Sequence, residues 1–278
     1  MTDVPGDDVG RQRLKIILAY NGQEFSGSQR QPGKRTIQGE LESALARLAG
    51  APVQITLAGR TDAGVHALGQ VASCLDPRPD LDLRSIQYAL NDHLPDDIGI
   101  QVVDRVGTDF DPRRSAKWRH YRYGIWVGNR QPVYADTRLQ LTGPLNVMRM
   151  LHGARRFEGE HDFASFSGLG KGVPGAESLG PRGTVRRIHL ADARGRTEPE
   201  RYGQEIDIDI VGDAFLPGQV RSMVGALVEI GRGKVQPDWI DELLDVADRR
   251  KGPKAVSPRG LTLVAVGYDE WDPARVLR

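Results

Sequence analysis

The sequence predicts a mixed α+β protein whose two halves contain strands and helices in nearly the same order. Two observations predict this class. Apolar residues alternate along some segments, as in half-buried strands, and recur every three or four residues along others, as in amphipathic helices. The segments follow the order β-α-β-β-α-β and then β-α-β-β-α-α-β, which is the ferredoxin-like arrangement. We therefore expect two antiparallel sheets, each covered by helices on one face.

The first half begins after an acidic segment over residues 1–10, which predicts a disordered tail. A helix is expected to begin at Thr36, whose side chain can cap it, and to end at Gly50. A second helix is predicted over 83–91. Four strands are predicted, over 14–20, 53–58, 70–75 and 98–106.

The second half repeats this order without obvious sequence similarity. Strands are predicted over 119–127, 184–191, 204–211 and 261–268. Helices are predicted over 145–157, 217–231 and 238–249. The boundary falls near 108–116, which gives an N-terminal half over 11–112 and a C-terminal half over 113–278. Glycine and proline are frequent in 167–183, which predicts a mobile loop.

Composition excludes several classes of protein. The 278 residues carry 38 basic and 37 acidic side chains, and 39% are hydrophobic, which is ordinary for a globular chain. No apolar run approaches the ~20 residues that a membrane span needs, and the acidic N-terminus lacks the apolar core of a secretory signal. We expect a cytoplasmic protein. Its one cysteine, Cys74, excludes an internal disulfide and is expected to pack in a strand.

Familiar cofactor motifs are missing. In GSQRQPGKR, five residues separate Gly27 from Gly33, where a phosphate-binding loop has four. The six histidines are scattered without metal-ligand spacing. We therefore expect neither a metal nor a bound nucleoside triphosphate.

One segment, Gly59-Arg-Thr-Asp-Ala-Gly-Val-His-Ala67, lies between two predicted strands. Gly59 and Gly64 permit a tight turn from which Asp62 projects toward a ligand. The alternative is a structural turn, in which the Asp62 carboxylate binds its own backbone.

A second segment, 113–123, holds five basic residues and three aromatic residues but no acidic residue. Basic groups can hold phosphates while aromatic rings stack on unpaired bases. In a strand, Tyr121 and Tyr123 share one face, and His120 and Arg122 share the other. The alternative is a solvated strand whose aromatic residues lie in the core.

Arg221 falls in the first turn of the predicted helix over 217–231. A cation at this end opposes the helix dipole. Arg221 is therefore expected to have an anionic partner, which is a carboxylate or a phosphate.

Together these segments resemble the tRNA pseudouridine synthase A family. GRTDAGVHALGQV matches the family's catalytic-aspartate motif nearly residue for residue. The similarity continues through TIQGELESAL, ALNDHLPDDI, SAKWRHYRYGI and DAFLPGQVRSMVGALVEIG. The resemblance implies two α+β halves flanking a basic active-site cleft. It also implies conversion of uridine to pseudouridine at positions 38 to 40 of the tRNA anticodon stem-loop, without cofactor or metal, by a homodimer.

The resemblance also implies catalytic roles for individual residues. Asp62 matches the nucleophilic aspartate, and Arg221 matches the arginine that pairs with it and would keep it ionised. Tyr121 matches the pocket tyrosine that packs on uracil and acts as a base, for which it would need a lowered pKa or a water.

Further positions are expected to bind the substrate. Arg60 matches the arginine that helps the target base out of the stack, and Arg119 and Arg122 are expected to contact RNA. Leu263, or alternatively Leu261, would line the pocket. Ser28 stands where the family usually has an aromatic residue, so we expect its loop to contact RNA differently.

Two other functions remain open at this stage. A non-catalytic tRNA-binding or tRNA-folding protein could use the same basic and aromatic surface. In that case, replacing Asp62 would leave its function unchanged. A small-molecule nucleosidase would release free uracil and would be insensitive to salt.

Overall fold

The computed structural model describes residues 12–129, 137–168, 182–198 and 203–273. The predicted tail and most of the predicted 167–183 loop lie outside these residues. The helices are α1 (Ile37–Ala49), α2 (Leu83–His93), α3 (Val147–Arg155), α4 (Gln219–Gly231) and α5 (Trp239–Val246). The strands are β1 (Arg13–Tyr20), β2 (Thr56–Leu57), β3 (His66–Leu75), β4 (Ile98–Val106), β5 (Trp118–Gly128), β6 (Leu139–Leu141), β7 (Gly159–Asp162), β8 (Val185–Glu198), β9 (Gly203–Gly212) and β10 (Leu261–Gly267).

The mixed α+β class is confirmed, but the strands form one ten-stranded sheet rather than two sheets. The order is β4-β1-β3-β10-β5-β9-β8-β7, with β2 on β3 and β6 on β5. All pairs are antiparallel except β10 with β3 and β5 with β6.

The short parallel pairing of β10 with β3 joins the two halves of the sheet. The predicted strand over 53–58 is reduced to two residues, and it pairs only with Ala72 and Ser73 of β3. The other end of β3 keeps a free edge, which β10 fills by placing Thr262 beside His66 and Leu263 beside Ala67. The spacing of apolar residues shows which segments form strands but not which strands pair. The pairing of β10 with β3 was therefore not predicted.

The predicted limits of α1 are confirmed by its caps. The Thr36 hydroxyl accepts a hydrogen bond from Gly39 N–H at 3.2 Å. Gly50 ends the helix in the left-handed region with φ 70°. The Thr36 contact satisfies one amide that the helix start would leave without a partner, and glycine adopts the left-handed conformation at the helix end without steric cost.

Alternation along β9 separates an apolar face from a charged face. Ile206, Ile208 and Ile210 are fully buried in the main core. On the other face, Asp207 binds Arg138 and Asp209 binds Arg122. Cys74 is also buried, and burial raises its thiol pKa to about 12, which fits a packing role. In the described part of the chain, no helix is long and apolar enough to cross a membrane.

Candidate active site

The loop that carries Asp62 connects β2 to β3. Val65 N–H donates to Asp62 O at 3.2 Å, and Gly64 has φ +80°. The turn therefore requires the glycine and projects Asp62 outward, as the sequence predicted. The Asp62 side chain is 47% exposed.

Arg221 meets Asp62 at the start of α4. Asp62 Oδ2 accepts a hydrogen bond from Arg221 Nη1 at 3.0 Å. Arg221 Nε donates to Val256 O at 2.8 Å, and Val256 N–H donates back to Arg221 O at 3.2 Å. The expected anionic partner of Arg221 is thus a carboxylate. The Asp62 side chain binds Arg221 instead of forming the structural turn that sequence left open.

Tyr121 lies in β5 close to the Asp62 loop. A Cβ added at Gly59 would lie 3.9 Å from the Tyr121 hydroxyl, so the loop passes near the phenol. Tyr121 is 8% exposed and packs edge-on against Phe215, with ring centroids 5.2 Å apart. Leu263 is directly opposite Tyr121 in the register of β5 and β10 and is fully buried.

Burial determines the protonation state of Tyr121. Desolvation raises its pKa above the ordinary value, and the charge of Asp62 acts in the same direction, while Arg119 opposes both. The phenol therefore keeps its proton at neutral pH. This environment does not provide the lowered pKa that a tyrosine base would need.

Arg119 is engaged within the protein. Its guanidinium donates to four backbone carbonyls, of Asp213 at 2.7 Å, Arg113 at 2.8 Å, Ala116 at 3.1 Å and Ala58 at 3.3 Å. Burial lowers the pKa of Arg119. Because Ala58 begins the Asp62 loop, Arg119 ties this loop to the second half of the chain.

Arg122 and Arg60 differ in their surroundings. Arg122 lies on the opposite face of β5 from Tyr121, where its Nε donates to Asp209 at 2.8 Å. Arg60 is exposed beside Asp62, and it forms no hydrogen bond or ion pair with the other described residues. Among the three arginines predicted to contact the substrate, only Arg60 has a guanidinium without a partner in the described part of the chain. It lies two positions before Asp62.

Two buried polar side chains that support the Asp62 loop were not predicted from the sequence. The Tyr20 hydroxyl lies 2.8 Å from Thr61 Oγ1. Gln70 Nε2 donates to Gly59 O at 3.0 Å. Tyr20 and Gln70 lie on the paired strands β1 and β3 and are buried. A buried polar residue in an otherwise apolar strand pattern was the available signal.

His66 joins the first half to the segment that supports Arg221. Its Nδ1 accepts a hydrogen bond from Gly22 N–H at 3.2 Å. Its Nε2 lies 3.1 Å from Arg259 O, and a carbonyl can only accept, so these partners assign the proton to Nε2. His66 thereby links Gly22 to the short 3-10 helix Pro258–Gly260, which follows Val256.

The fold and the site define an α+β protein that presents an arginine-held carboxylate beside a buried aromatic ring. Such a carboxylate is suited to covalent attack on a substrate whose ring packs on the tyrosine. The chain belongs to the tRNA pseudouridine synthase family, whose model matches residues 16–113 and 154–269. These ranges include Asp62 and Arg221, whereas Tyr121 lies between them.

Curated relatives are similar over almost the whole chain. The tRNA pseudouridine synthase A of Maridesulfovibrio salexigens is 39% identical over 262 residues, covering 93% of this chain and 91% of the relative. That of Methylococcus capsulatus is 41% identical over 261 residues, covering 93% and 90%. That of Hyphomonas neptunium is 41% identical over 260 residues, covering 92% and 98%.

Proposed function

We propose that this protein isomerises uridine to pseudouridine in the tRNA anticodon stem-loop, at positions 38 to 40, with Asp62 as nucleophile. Its relatives support tRNA pseudouridine synthase activity over more than nine-tenths of the chain. The observation that carries the assignment of Asp62 is its 3.0 Å contact with Arg221 on an exposed turn beside Tyr121.

The reaction requires a nucleophile and a pocket but no redox step. The N1–C1′ bond breaks, the uracil turns, and a C5–C1′ bond forms. The C5 proton leaves to solvent, and N1 gains a proton. Asp62 forms a transient bond either to C1′ or to the base, and its release restores the carboxylate. Arg221 holds Asp62 Oδ2 in place and balances its charge.

Tyr121 provides a platform for the detached uracil. Its ring is supported by Phe215 and lies beside Leu263, so the base can be held by apolar contacts while it turns. The raised pKa of Tyr121 favours this role over that of general base. A base within a stem must first leave the stack, and Arg60, whose guanidinium has no partner among the described residues, stabilises the opened strand.

The site draws on both halves of the chain. In the N-terminal half, 11–112, the strand order is β4-β1-β3-β2, and in the C-terminal half, 113–278, it is β10-β5-β9-β8. The two halves have the same strand order and the same connectivity, which supports two ferredoxin-like units. We propose that these units flank a basic cleft. Asp62 comes from the first unit, and Tyr121 and Arg221 come from the second.

We further propose that the protein is a cytoplasmic homodimer and that it contacts tRNA through basic residues outside the pocket. Arg113 and Arg114 are exposed and suit this role. Arg119 and Arg122 would require rearrangement, since both are bonded within the protein. Sedimentation of the purified protein tests the dimer.

Hydrogen exchange at C5 tests the function. Transfer RNA carrying tritium at C5 of uridine should lose its label to water when it is incubated with the protein. Asp62→Ala should abolish this release. Asp80→Ala is the matched control, because Asp80 also pairs with an arginine, Arg78 at 2.8 Å, but on another loop. Release by Asp62→Ala at the wild-type rate would reject the assignment.

A further inference from the structure

Ser28 lies behind the catalytic loop and is wholly buried. Its hydroxyl oxygen accepts a hydrogen bond from Thr61 N–H at 2.9 Å. Its own N–H donates to Thr61 O at 3.0 Å. The two bonds form a reciprocal pair with the residue that directly precedes Asp62. The Ser28 side chain therefore faces protein, whereas the sequence had suggested only a changed RNA contact for its loop.

The other side of Ser28 is anchored on α1. Gly27 O and Ser28 O accept hydrogen bonds from Ile37 N–H at 3.4 Å and Gln38 N–H at 2.9 Å. These amides belong to the first turn of the helix, which has no partners of its own for them. Contacts thus run without a break from α1 through Ser28 to Thr61.

Gly27 permits this close packing. Its φ is +94°, and a Cβ at this position would lie 3.0 Å from Thr61 O. A side chain would push the two segments apart. The backbone at Gly27 and Ser28 is therefore fitted to Thr61 on one side and to α1 on the other.

The direction of Asp62 depends on this support. Its carboxylate is 47% exposed and is held at its tip by Arg221 alone among the described residues. Thr61 is fixed by Ser28 at its backbone and by Tyr20 at its hydroxyl. A rigid Thr61 fixes the Cα from which the Asp62 side chain departs.

We propose that Ser28 is a positioning residue for the isomerisation, an inference that rests on the proposed function. It contacts no substrate and acts through Thr61, keeping the Asp62 carboxylate at attacking distance from the target nucleotide. Displacement of a reacting group by about 1 Å can lower a rate by about 10²-fold. Loss of the Ser28 hydroxyl should therefore lower kcat more than it weakens tRNA binding.

The test compares Ser28→Ala with Ser165→Ala. Ser165 is also wholly buried, and its hydroxyl accepts from Asp248 N–H at 2.9 Å and donates to Leu243 O at 2.6 Å near the end of α5. Tritium release and unfolding are measured for both variants. Ser28→Ala should lower kcat by roughly 10-fold or more and leave KM for tRNA nearly unchanged. Ser165→Ala should lose stability but keep its kcat per folded molecule.

Equal kcat per folded molecule in the two variants would overturn the role of Ser28. If Ser28→Ala does not fold, Ser28→Cys replaces the strong acceptor by a weak one of similar shape, and the same comparison applies. The wild-type protein is assayed in parallel. Absence of release by the wild type overturns the proposed function itself, whereas normal release by both the wild type and the Ser28 variant overturns only the positioning role.

Discussion

Asp62 Oδ2 lies 3.0 Å from Arg221 Nη1, although the two residues are 159 positions apart in the chain. The guanidinium has donors on both of its edges, and one of them, Nε, is bound to Val256 O at 2.8 Å. This second bond fixes the plane of the guanidinium. Arg221 can therefore hold Asp62 in a defined direction rather than only attract its charge.

Two substitutions of Arg221 should separate its orienting effect on Asp62 from the attraction between their charges. Arg221→Ala is expected to lower kcat by about 10²-fold, because a preorganised donor at the reacting carboxylate is lost. Arg221→Lys keeps the charge but not the planar fork, so it should fall between Ala and wild type. Tritium release at saturating tRNA measures both. Arg232→Ala directly after the same helix, where Arg232 pairs with Glu229, is the control and should keep full turnover.

Substitution of Tyr121 should distinguish a platform from a base. Tyr121→Phe keeps the ring and should retain most of the wild-type kcat. Tyr121→Ala loses the stacking surface, worth about 1–3 kcal/mol, or roughly 5- to 150-fold in rate. Single-turnover assays at several pH values measure both variants. Inactivity of Tyr121→Phe equal to that of Tyr121→Ala would show that the hydroxyl takes part in the chemistry.

Loss of His66 should weaken the junction between the two halves. His66→Ala leaves Gly22 N–H and Arg259 O without this buried partner, which is expected to cost about 1–3 kcal/mol in the free energy of unfolding. His66→Gln offers a donor and an acceptor and should cost less. Urea denaturation measures both variants. His152→Ala, an exposed histidine on α3, is the control, and an effect no larger than this control would contradict the junction role.

Asp209 should make stability depend on pH. Burial alone would raise its pKa, but hydrogen bonds from His120 and Arg122 outweigh burial and lower it. A carboxylate with a lowered folded-state pKa contributes stability above its unfolded-state pKa of about 3.9, and this contribution is lost as the pH falls toward the folded-state pKa.

The matching experiment is urea denaturation of the wild type and Asp209→Asn between pH 7 and pH 2. At pH 7 the variant should lose about 1.5–3 kcal/mol, since His120, Arg122 and Arg194 lose hydrogen bonds to a charged and buried carboxylate. This difference should shrink below pH 4. A difference that stays constant over the whole range would contradict the assigned pKa shift.

Local features of the fold were predictable from sequence because they are encoded within short segments. Thr36 and Gly50 give the limits of α1, and β4 spans Ile98–Val106, the same residues as the predicted strand. The strand predicted to end at 191 extends to Glu198 as β8. Its polar residues, such as Arg194, alternate with small ones, so no apolar pattern marked this extension, and its pairing with β9 stabilises it.

The residues of the candidate active site were predictable only in part. Asp62 and Arg221 could be singled out, because a glycine-flanked aspartate and a cation at a helix start are locally unusual. The side chains that support the Asp62 loop, such as Tyr20 and Gln70, could not be singled out in this way. Arg119 stood in a basic segment and suggested RNA contact, whereas its guanidinium donates to two nearby carbonyls and to those of Ala58 and Asp213, 61 and 94 positions away. Such pairing follows from tertiary packing, which no spacing along the chain reveals.

Pseudouridine mapping of tRNA tests the role of Asp62 most directly. Unmodified tRNA is incubated with the wild-type protein, with Asp62→Ala or with Asp80→Ala, and each uridine of the anticodon stem-loop is read separately. The expected result is pseudouridine at positions 38 to 40 with the wild type and Asp80→Ala, and none with Asp62→Ala. Pseudouridine at these positions with a folded Asp62→Ala protein would contradict the assignment of Asp62 as the nucleophile.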